Sequence, residues 1–258
     1  MKQNSMHELV QDQKNIFEEK YALETKTKYG FHITHDPLIR FLRDRRLNKS
    51  LDILKNNNND DVSSWSVLVV CGGVGGEGIF FYRKGLSNIT VSDISENSLK
   101  ICNFFEPAID TIMLNGESLD LPDNSYDLVV VQDGLHHLPR PVSGFTEMLR
   151  VAKKGIVVIE PYNGLVGNLI GTEWEKHGDA VNYVFRWDKD LVTQVVKSLL
   201  LSNYKLIRVL RLWDHNKIIF KTVTKLPKSL QLKASKTIYW LISLFNFSGN
   251  NMVAVVLK

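Results

Sequence analysis

Three glycines in the stretch Val67-Leu68-Val69-Val70-Cys71-Gly72-Gly73-Val74-Gly75-Gly76-Glu77-Gly78 fall at G-x-G-x-x-G spacing from Gly73, directly after an apolar run. Backbone that turns beneath a nucleoside must approach without β-carbons and with positive φ open to it, and glycine supplies both. Asp93 closes the next apolar run, which begins at Ile89. A carboxylate there can accept hydrogen bonds from both hydroxyls of an adenosine ribose. A glycine loop and an acid at this separation suit a nicotinamide dinucleotide as well as other adenosine-bearing cofactors, so these two features leave the ligand open. The ligand-free alternative is a tight strand-to-helix turn with a helix-capping aspartate.

Two later apolar runs also end beside ionisable groups. Asp133 and His136 follow Leu128–Val131, and Glu160 follows Ile156–Ile159. Histidine changes charge near neutral pH, as a general base acting on a hydroxyl requires, so His136 is the first catalytic candidate and Asp133 the second. The pair His136-His137 equally suits simple packing or capping at a helix start. Glu160 is as well suited to bonding a neighbouring loop as to holding a substrate. Tyr29, His32 and His35 read as polar residues of an exposed N-terminal loop. Trp174, Tyr183, Phe185 and Trp187 would line a ligand pocket or form the local core of an insertion. Cys71 and Cys102 are too few for a disulfide framework or a zinc site, no Cys/His/Asp spacing predicts a metal, and no G-x-S-x-G predicts a hydrolase.

These residues need a scaffold, and the pattern supplies one. Val67–Val70, Ile89–Ser92, Leu128–Val131 and Ile156–Ile159 are short runs rich in Val and Ile, as in strands covered on both faces. Helices are expected between them at Ile79–Lys84, Ser95–Phe105 and Val142–Val151. The alternation predicts an α/β fold, a doubly wound and mostly parallel sheet, with ligands at the carboxyl ends of its strands. Two helices precede it, His7–Tyr21 and one opened by Asp36-Pro37, and the run Asn56–Asp61 reads as a linker. The expected division is an N-terminal helical cap and linker over 1–61 and a ligand-binding domain over 62–258, with insertions at 161–190 and 213–250. Asp188–Leu201 reads as a helix, and Tyr204–Leu212 and Met252–Leu257 as closing strands.

With 258 residues, 44% hydrophobic and 23% charged, the chain can bury a sizeable core. Its start is polar, with no apolar signal region, and no apolar stretch is long enough to span a bilayer; a cytoplasmic location is expected. The formal net charge is +4, and basic residues are scattered until the C-terminal third, which argues against nucleic acid as partner. There Lys221, Lys225, Lys228, Lys233 and Lys236 precede the apolar run Ile238–Phe247. The expectation is a helix packed between the edge strands, with Trp240 in the core and the lysines in water. A membrane interface is the alternative.

The segment Leu114–Leu138 carries the most specific pattern: Asn115-Gly116-Glu117, Leu121-Pro122, the polar turn Asp123-Asn124-Ser125, Tyr126-Asp127, an apolar strand, and Leu135-His136-His137-Leu138. Together with the glycine loop, from about Trp65 to Pro161, it resembles the class I S-adenosylmethionine-dependent methyltransferases of the UbiE, small-molecule type. A dinucleotide dehydrogenase has no reason to show this block. The resemblance implies a seven-stranded Rossmann-like sheet whose last two strands form an antiparallel edge pair. It implies S-adenosyl-L-methionine as cofactor and methyl transfer to a small-molecule or sugar-containing acceptor, at oxygen by analogy. Gly73 and Gly75 would pass beneath the cofactor, Asp93 hold the ribose, Ile94 lie against adenine, Asn115 and Gly116 meet the adenine edge, and Gln132 face the methionine part. Cys71, Gly72 and Glu117 complete the expected binding set. The chain departs from the family at Val69, where an acid is usual, at Cys71 in place of the first loop glycine, and at Asn115 in place of an acid. Glu77 is the nearby substitute carboxylate. The competing classes are a non-catalytic relative that binds the cofactor, an NAD-dependent oxidoreductase and a nucleic-acid methyltransferase.

Overall fold

The computed structural model describes residues 5–21, 34–177, 180–214 and 217–258. Tyr29 and His32 lie outside the described residues. Helix α1 (Met6–Lys20) opens with a capping box in which the Ser5 hydroxyl accepts from the Glu8 N–H and Glu8 reaches back to the Ser5 N–H. Helix α2 (Pro37–Asn57) starts where Asp36 accepts from the N–H groups of Leu38 and Ile39, with proline at its first position. It runs through Asn57, so the asparagine-rich linker begins later than the composition predicts.

Strands β1 (Val67–Val69), β2 (Ile89–Asp93), β3 (Asp110–Met113), β4 (Tyr126–Gln132) and β5 (Ala152–Pro161) are joined by parallel pairing. Between them run α3 (Gly76–Arg83), α4 (Glu96–Phe105) and α5 (Pro141–Val151). Helix α6 (Leu165–Ile170) and the hairpin β6 (Trp174–His177) and β7 (Ala180–Tyr183) follow β5. Helix α7 (Lys189–Leu200), β8 (Leu206–Leu212), α8 (Lys217–Val223), α9 (Lys228–Ser243) and β9 (Asn251–Leu257) complete the chain. The seven-stranded sheet has the order β3-β2-β1-β4-β5-β9-β8, and β9 is antiparallel to both β5 and β8.

Side-chain alternation divides the core in two. Val67, Val69, Val91, Val130, Val157 and Val255 face α2, α3 and α4 through Leu51, Leu54, Phe80 and Cys102. Leu68, Val70, Val129, Val131, Val158 and Val256 face α5 and α7 through Phe145, Met148, Val192 and Val196. Cover on both faces is why these strands read as continuous apolar runs.

The C-terminal insertion departs from expectation. Helix α9 packs inward through Ser235 and Tyr239, with Tyr239 against Leu38, Leu42 and Val223. Trp240 is 64% exposed and is not a core residue. Among the described residues the helix is covered on the side of Ser235 and Tyr239, while Leu230, Trp240, Leu241 and Leu244 are exposed.

Candidate functional site

The strand order reverses between β1 and β4, and the carboxyl ends of strands on either side of such a point leave a crevice. A cavity opens there, walled by Cys71, Gly72 and Gly73 after β1, Asp93 and Ile94 at β2, Asn115 and Gly116 after β3, and Gln132, Asp133 and Gly134 at β4. The loop that forms its floor needs unusual backbone: Cys71 has φ 53°, Gly73 φ 52° and Gly75 φ 86°. A Cβ on Gly75 would lie 2.2 Å from the Cys102 sulfur, so Gly75 serves the seating of α3 on α4, and it does not line the cavity. The left-handed conformation at Cys71 falls where the family's glycine would stand, and there a side chain costs about 1–2 kcal/mol. Burial, with Asp93 and Glu160 nearby, pushes the pKa of the half-buried Cys71 thiol well above its ordinary value.

Cys71 fits because its neighbours are small. A Cβ on Gly134 would come 2.7 Å from Cys71 Cβ and 2.9 Å from Val131 Cγ2. Gly134→Ala is therefore expected to destabilise by about 1–3 kcal/mol as an overpacked site. In a Cys71→Gly background one of the two clashes is gone, and the cost is expected to fall by roughly 0.5 kcal/mol or more in a urea double-mutant cycle. Equal costs in both backgrounds would show that the two residues do not share this space.

Asp93 is positioned by the floor it faces. Its Oδ2 accepts from the Gly73 N–H at 2.8 Å and its Oδ1 from the Ser95 N–H at 2.9 Å. Burial raises its pKa, and these backbone donors work in the opposite direction. Asn115 Oδ1 accepts from the Glu117 N–H at 3.0 Å, closing the turn that presents Gly116. Glu117 itself is turned away: its buried carboxylate takes the backbone N–H of Arg140 and two guanidinium contacts at 2.9 and 3.2 Å, and it is not among the lining residues. It ties the loop after β3 to the start of α5.

Across β1 from Asp93, Gln132 Nε2 donates to Glu77 Oε1 at 3.1 Å, while the buried Gln132 Oε1 has no hydrogen-bond partner among the described residues. Burial raises the Glu77 pKa, opposed by the Arg43 guanidinium 3.7 Å away. Val69, at the position of the family's acid, is fully buried on the α2/α3 face of the sheet and does not line this cavity. Asp133 does line the cavity, but Arg46 holds it through two hydrogen bonds of 2.9 and 2.5 Å. Burial works against the Arg46 charge; Asp133 and Asp214 more than offset it and raise the guanidinium pKa.

His136 lies behind the wall, and His137 faces the cavity. His136 is 5% exposed, and its Nδ1 is 2.6 Å from Glu160 Oε2. The other Glu160 oxygen accepts from the N–H groups of Gly134 and Leu135 at 2.8 and 2.7 Å, so both oxygens are committed to the neighbouring loop. Burial lowers the His136 pKa, but the charge and hydrogen bond of Glu160 outweigh it and push the value up to about 9. A protonated imidazole at neutral pH is a poor general base. The fold also gathers His136, His137 and Glu175, with one ligand atom of each within 4.8 Å of the others, a grouping that residue spacing did not predict. With His136 protonated, its Nε2 forms an ion pair with Glu175 Oε2 at 3.9 Å, and His137 Nδ1 lies 3.6 Å from the same carboxylate.

The N-terminal helices contribute wall residues that motif reading missed: Phe17, Lys20 and Tyr21 from the end of α1, and Arg43 from α2. Helix α1 is docked by Glu18, whose carboxylate accepts from the N–H groups of Glu96 and Asn97 and from the Ser95 hydroxyl, capping α4 beside Asp93. Phe17 stands edge-on to His137 at 5.7 Å. Phe17 and Tyr21 stand four positions apart, which places them on one face of the helix and is the signal that could have found them. His35 lies beside Arg83 and is not a lining residue. Phe185 and Trp187 pack with Phe145 in the core, whereas Trp174 and Tyr183 form an exposed pair on the β6–β7 hairpin.

Comparison with known proteins agrees with this geometry. Residues 69–159 match the family described as Methyltransferase domain. A demethylmenaquinone methyltransferase from Renibacterium salmoninarum is 35% identical over 96 residues, covering 36% of this chain and 40% of that protein. The chain thus aligns with well under half the length of this curated relative. A solved S-adenosylmethionine-dependent methyltransferase from Thermotoga maritima superposes with a TM-score of 0.57 at 14% identity, covering 95% of this chain and 99% of the other. One from Mesorhizobium loti superposes with a TM-score of 0.53 at 13% identity, covering 81% and 97%. The chain has the class I S-adenosylmethionine-dependent methyltransferase fold. The antiparallel β9 inserted between β5 and β8 separates it from the dinucleotide-binding sheet, which runs 3-2-1-4-5-6.

Proposed function

We propose that this protein transfers a methyl group from S-adenosyl-L-methionine to a hydroxyl oxygen of a small-molecule acceptor, and that it is a relative of the UbiE and demethylmenaquinone type. The observation that carries the cofactor reading is Gln132 Oε1: buried beside Glu77, it has no partner among the described residues and lies across β1 from Asp93 in the same cavity. An acceptor atom and a carboxylate suit an ammonium group, and a carboxylate on the glycine floor suits a ribose diol. Asp93 would hold the ribose, Ile94 and Gly116 the adenine, and Gln132 with Glu77 the methionine ammonium. When bound, the cofactor supplies an electrophilic methyl on a sulfonium. The chain's own part is positioning: α1 closes one side with Phe17 and Tyr21, and His137 is the imidazole placed to take a proton from an acceptor hydroxyl. His136 and Glu160 hold the loop that carries His137.

S-Adenosylhomocysteine at a hundredfold excess over its Kd is expected to stabilise the protein by about 2.7 kcal/mol, a rise of roughly 5–10 °C in melting temperature. NAD and NADP are expected to give no shift. Asp93→Ala should remove most of the rise, because the ribose loses its acceptor. A shift with NAD alone would overturn the assignment, and cofactor binding without turnover of any hydroxyl acceptor would leave a binding protein in its place.

A further inference from the structure

We propose that the outer face of α9, with the turn that follows it, is a docking surface for an anionic lipid bilayer. This goes beyond the methyl-transfer reading and is independent of it. Leu230, Trp240, Leu241 and Leu244 are exposed on the side of α9 away from the buried Ser235 and Tyr239. Successive positions three, four and seven apart fall on one helical face, so these four form a stripe with Lys233 among them. Phe245 and Phe247 extend it through the 3-10 turn Asn246–Ser248, with Phe247 71% exposed. Beside that turn stands α6, where a Cβ on Gly167 would lie 3.7 Å from Asn250, and α6 exposes Leu165 and Leu169 at 81% and 78%. Helix α6, distant in sequence, therefore approaches the end of this segment and exposes two leucines of its own.

The inward face cannot exchange with the outward one. Tyr239 is fixed among Leu38, Leu42 and Val223, with the Arg45 guanidinium 4.1 Å from its ring centre.

Charge selects the partner. From Lys217 to the C-terminus there are seven lysines and no acidic residue, which leaves 25 basic against 28 acidic residues in the first 216. Lys221, Lys225, Lys228, Lys233 and Lys236 are exposed. A second copy apposed through this face would set lysines against lysines with no carboxylate in the segment to pair them. An anionic bilayer satisfies both features: headgroups draw in the lysines, and Trp and Phe side chains settle at the acyl boundary. The helix lies on the surface, since no described helix is long and apolar enough to cross a membrane.

The test is co-sedimentation of the full chain with vesicles of phosphatidylcholine containing about one third phosphatidylglycerol. Pelleting is expected at roughly 50 mM salt, with at least about tenfold weaker binding at roughly 500 mM or with phosphatidylcholine alone. The double variant Trp240→Ala, Phe247→Ser and the triple variant Lys228→Glu, Lys233→Glu, Lys236→Glu should each lose at least about tenfold in binding. Because those side chains are exposed, melting temperature and the S-adenosylhomocysteine shift should stay as in wild type, which separates this proposal from the functional one. Absence of pelleting at low salt would overturn it, as would pelleting that survives the double variant. A concentration-dependent dimer that the double variant dissolves would give the face to a second copy.

Discussion

Glu160→Ala is expected to lower stability by about 3–5 kcal/mol, the cost of leaving a buried charge without its partner. Glu160 is fully buried and holds three groups at once: the N–H groups of Gly134 and Leu135, and His136 Nδ1. Alanine would leave two backbone donors and an imidazole orphaned in a site that water does not reach. Urea denaturation at neutral pH measures the loss. A cost below about 1 kcal/mol would show that the loop after β4 is held by other means.

The same pair gives a signed pH dependence. The His136 pKa is raised in the folded protein, to about 9 from an ordinary 6.5, so between those values the native state holds a proton that the unfolded chain has released. Its contribution is therefore complete below pH 6.5 and is lost as pH rises through about 9. A shift of this size corresponds to something on the order of 3 kcal/mol. His136→Gln should flatten the stability profile across that window. A wild-type profile already flat there would mean that His136 is neutral in the folded protein and that the pair holds the loop as a neutral hydrogen bond.

How much of this was legible in the sequence follows from what each residue depends on. The central strands were readable because burial on both faces leaves only Val, Ile and Leu at successive positions. Edge strand β3, Asp-Thr-Ile-Met over Asp110–Met113, is exposed or half-buried throughout, so it shows neither an apolar run nor a clean alternation. The β6–β7 hairpin mixes charged and aromatic residues in four-residue strands and was equally hidden. Asp93 was legible because its place at a strand end is local. Arg46 was not: it lies in a helix dense with charge, where arginine reads as solvated, and only the meeting of α2 with the loop after β4 buries it against Asp133. The exchange of roles between His136 and His137 is of the same kind, since a 3-10 turn sends adjacent side chains in different directions and Glu160 fixes which one points inward. Trp240 misled for the opposite reason: an apolar residue in an apolar run suggests core, and nothing local shows that the partner surface is already full.

Val69→Asp restores the family's usual acid and is nevertheless expected to be the most damaging of these substitutions. Val69 is fully buried, packed with Val91, Val130 and Ile79, and its Cγ1 would lie 3.0 Å from a Cβ on Gly72. A carboxyl there has no described donor aimed at it, and even in its neutral form an unpaired polar group costs roughly 2–7 kcal/mol. Burial would raise its pKa above the unfolded value, so the penalty should grow as pH rises above about 4 and be smallest in acid. The cofactor's ammonium is instead assigned to Glu77, which lines the cavity with Gln132. Glu77→Gln should therefore keep the fold while weakening S-adenosylhomocysteine by about tenfold or more, the loss of one charge-assisted hydrogen bond. The two substitutions discriminate between accounts of the loop. If Val69→Asp proves as stable as wild type and binds S-adenosylhomocysteine more tightly, the loop is an ordinary motif that has lost its acid, and Glu77 has not replaced it. If Val69→Asp unfolds readily and Glu77→Gln alone weakens binding, the carboxylate has moved from the end of β1 to the first turn of α3.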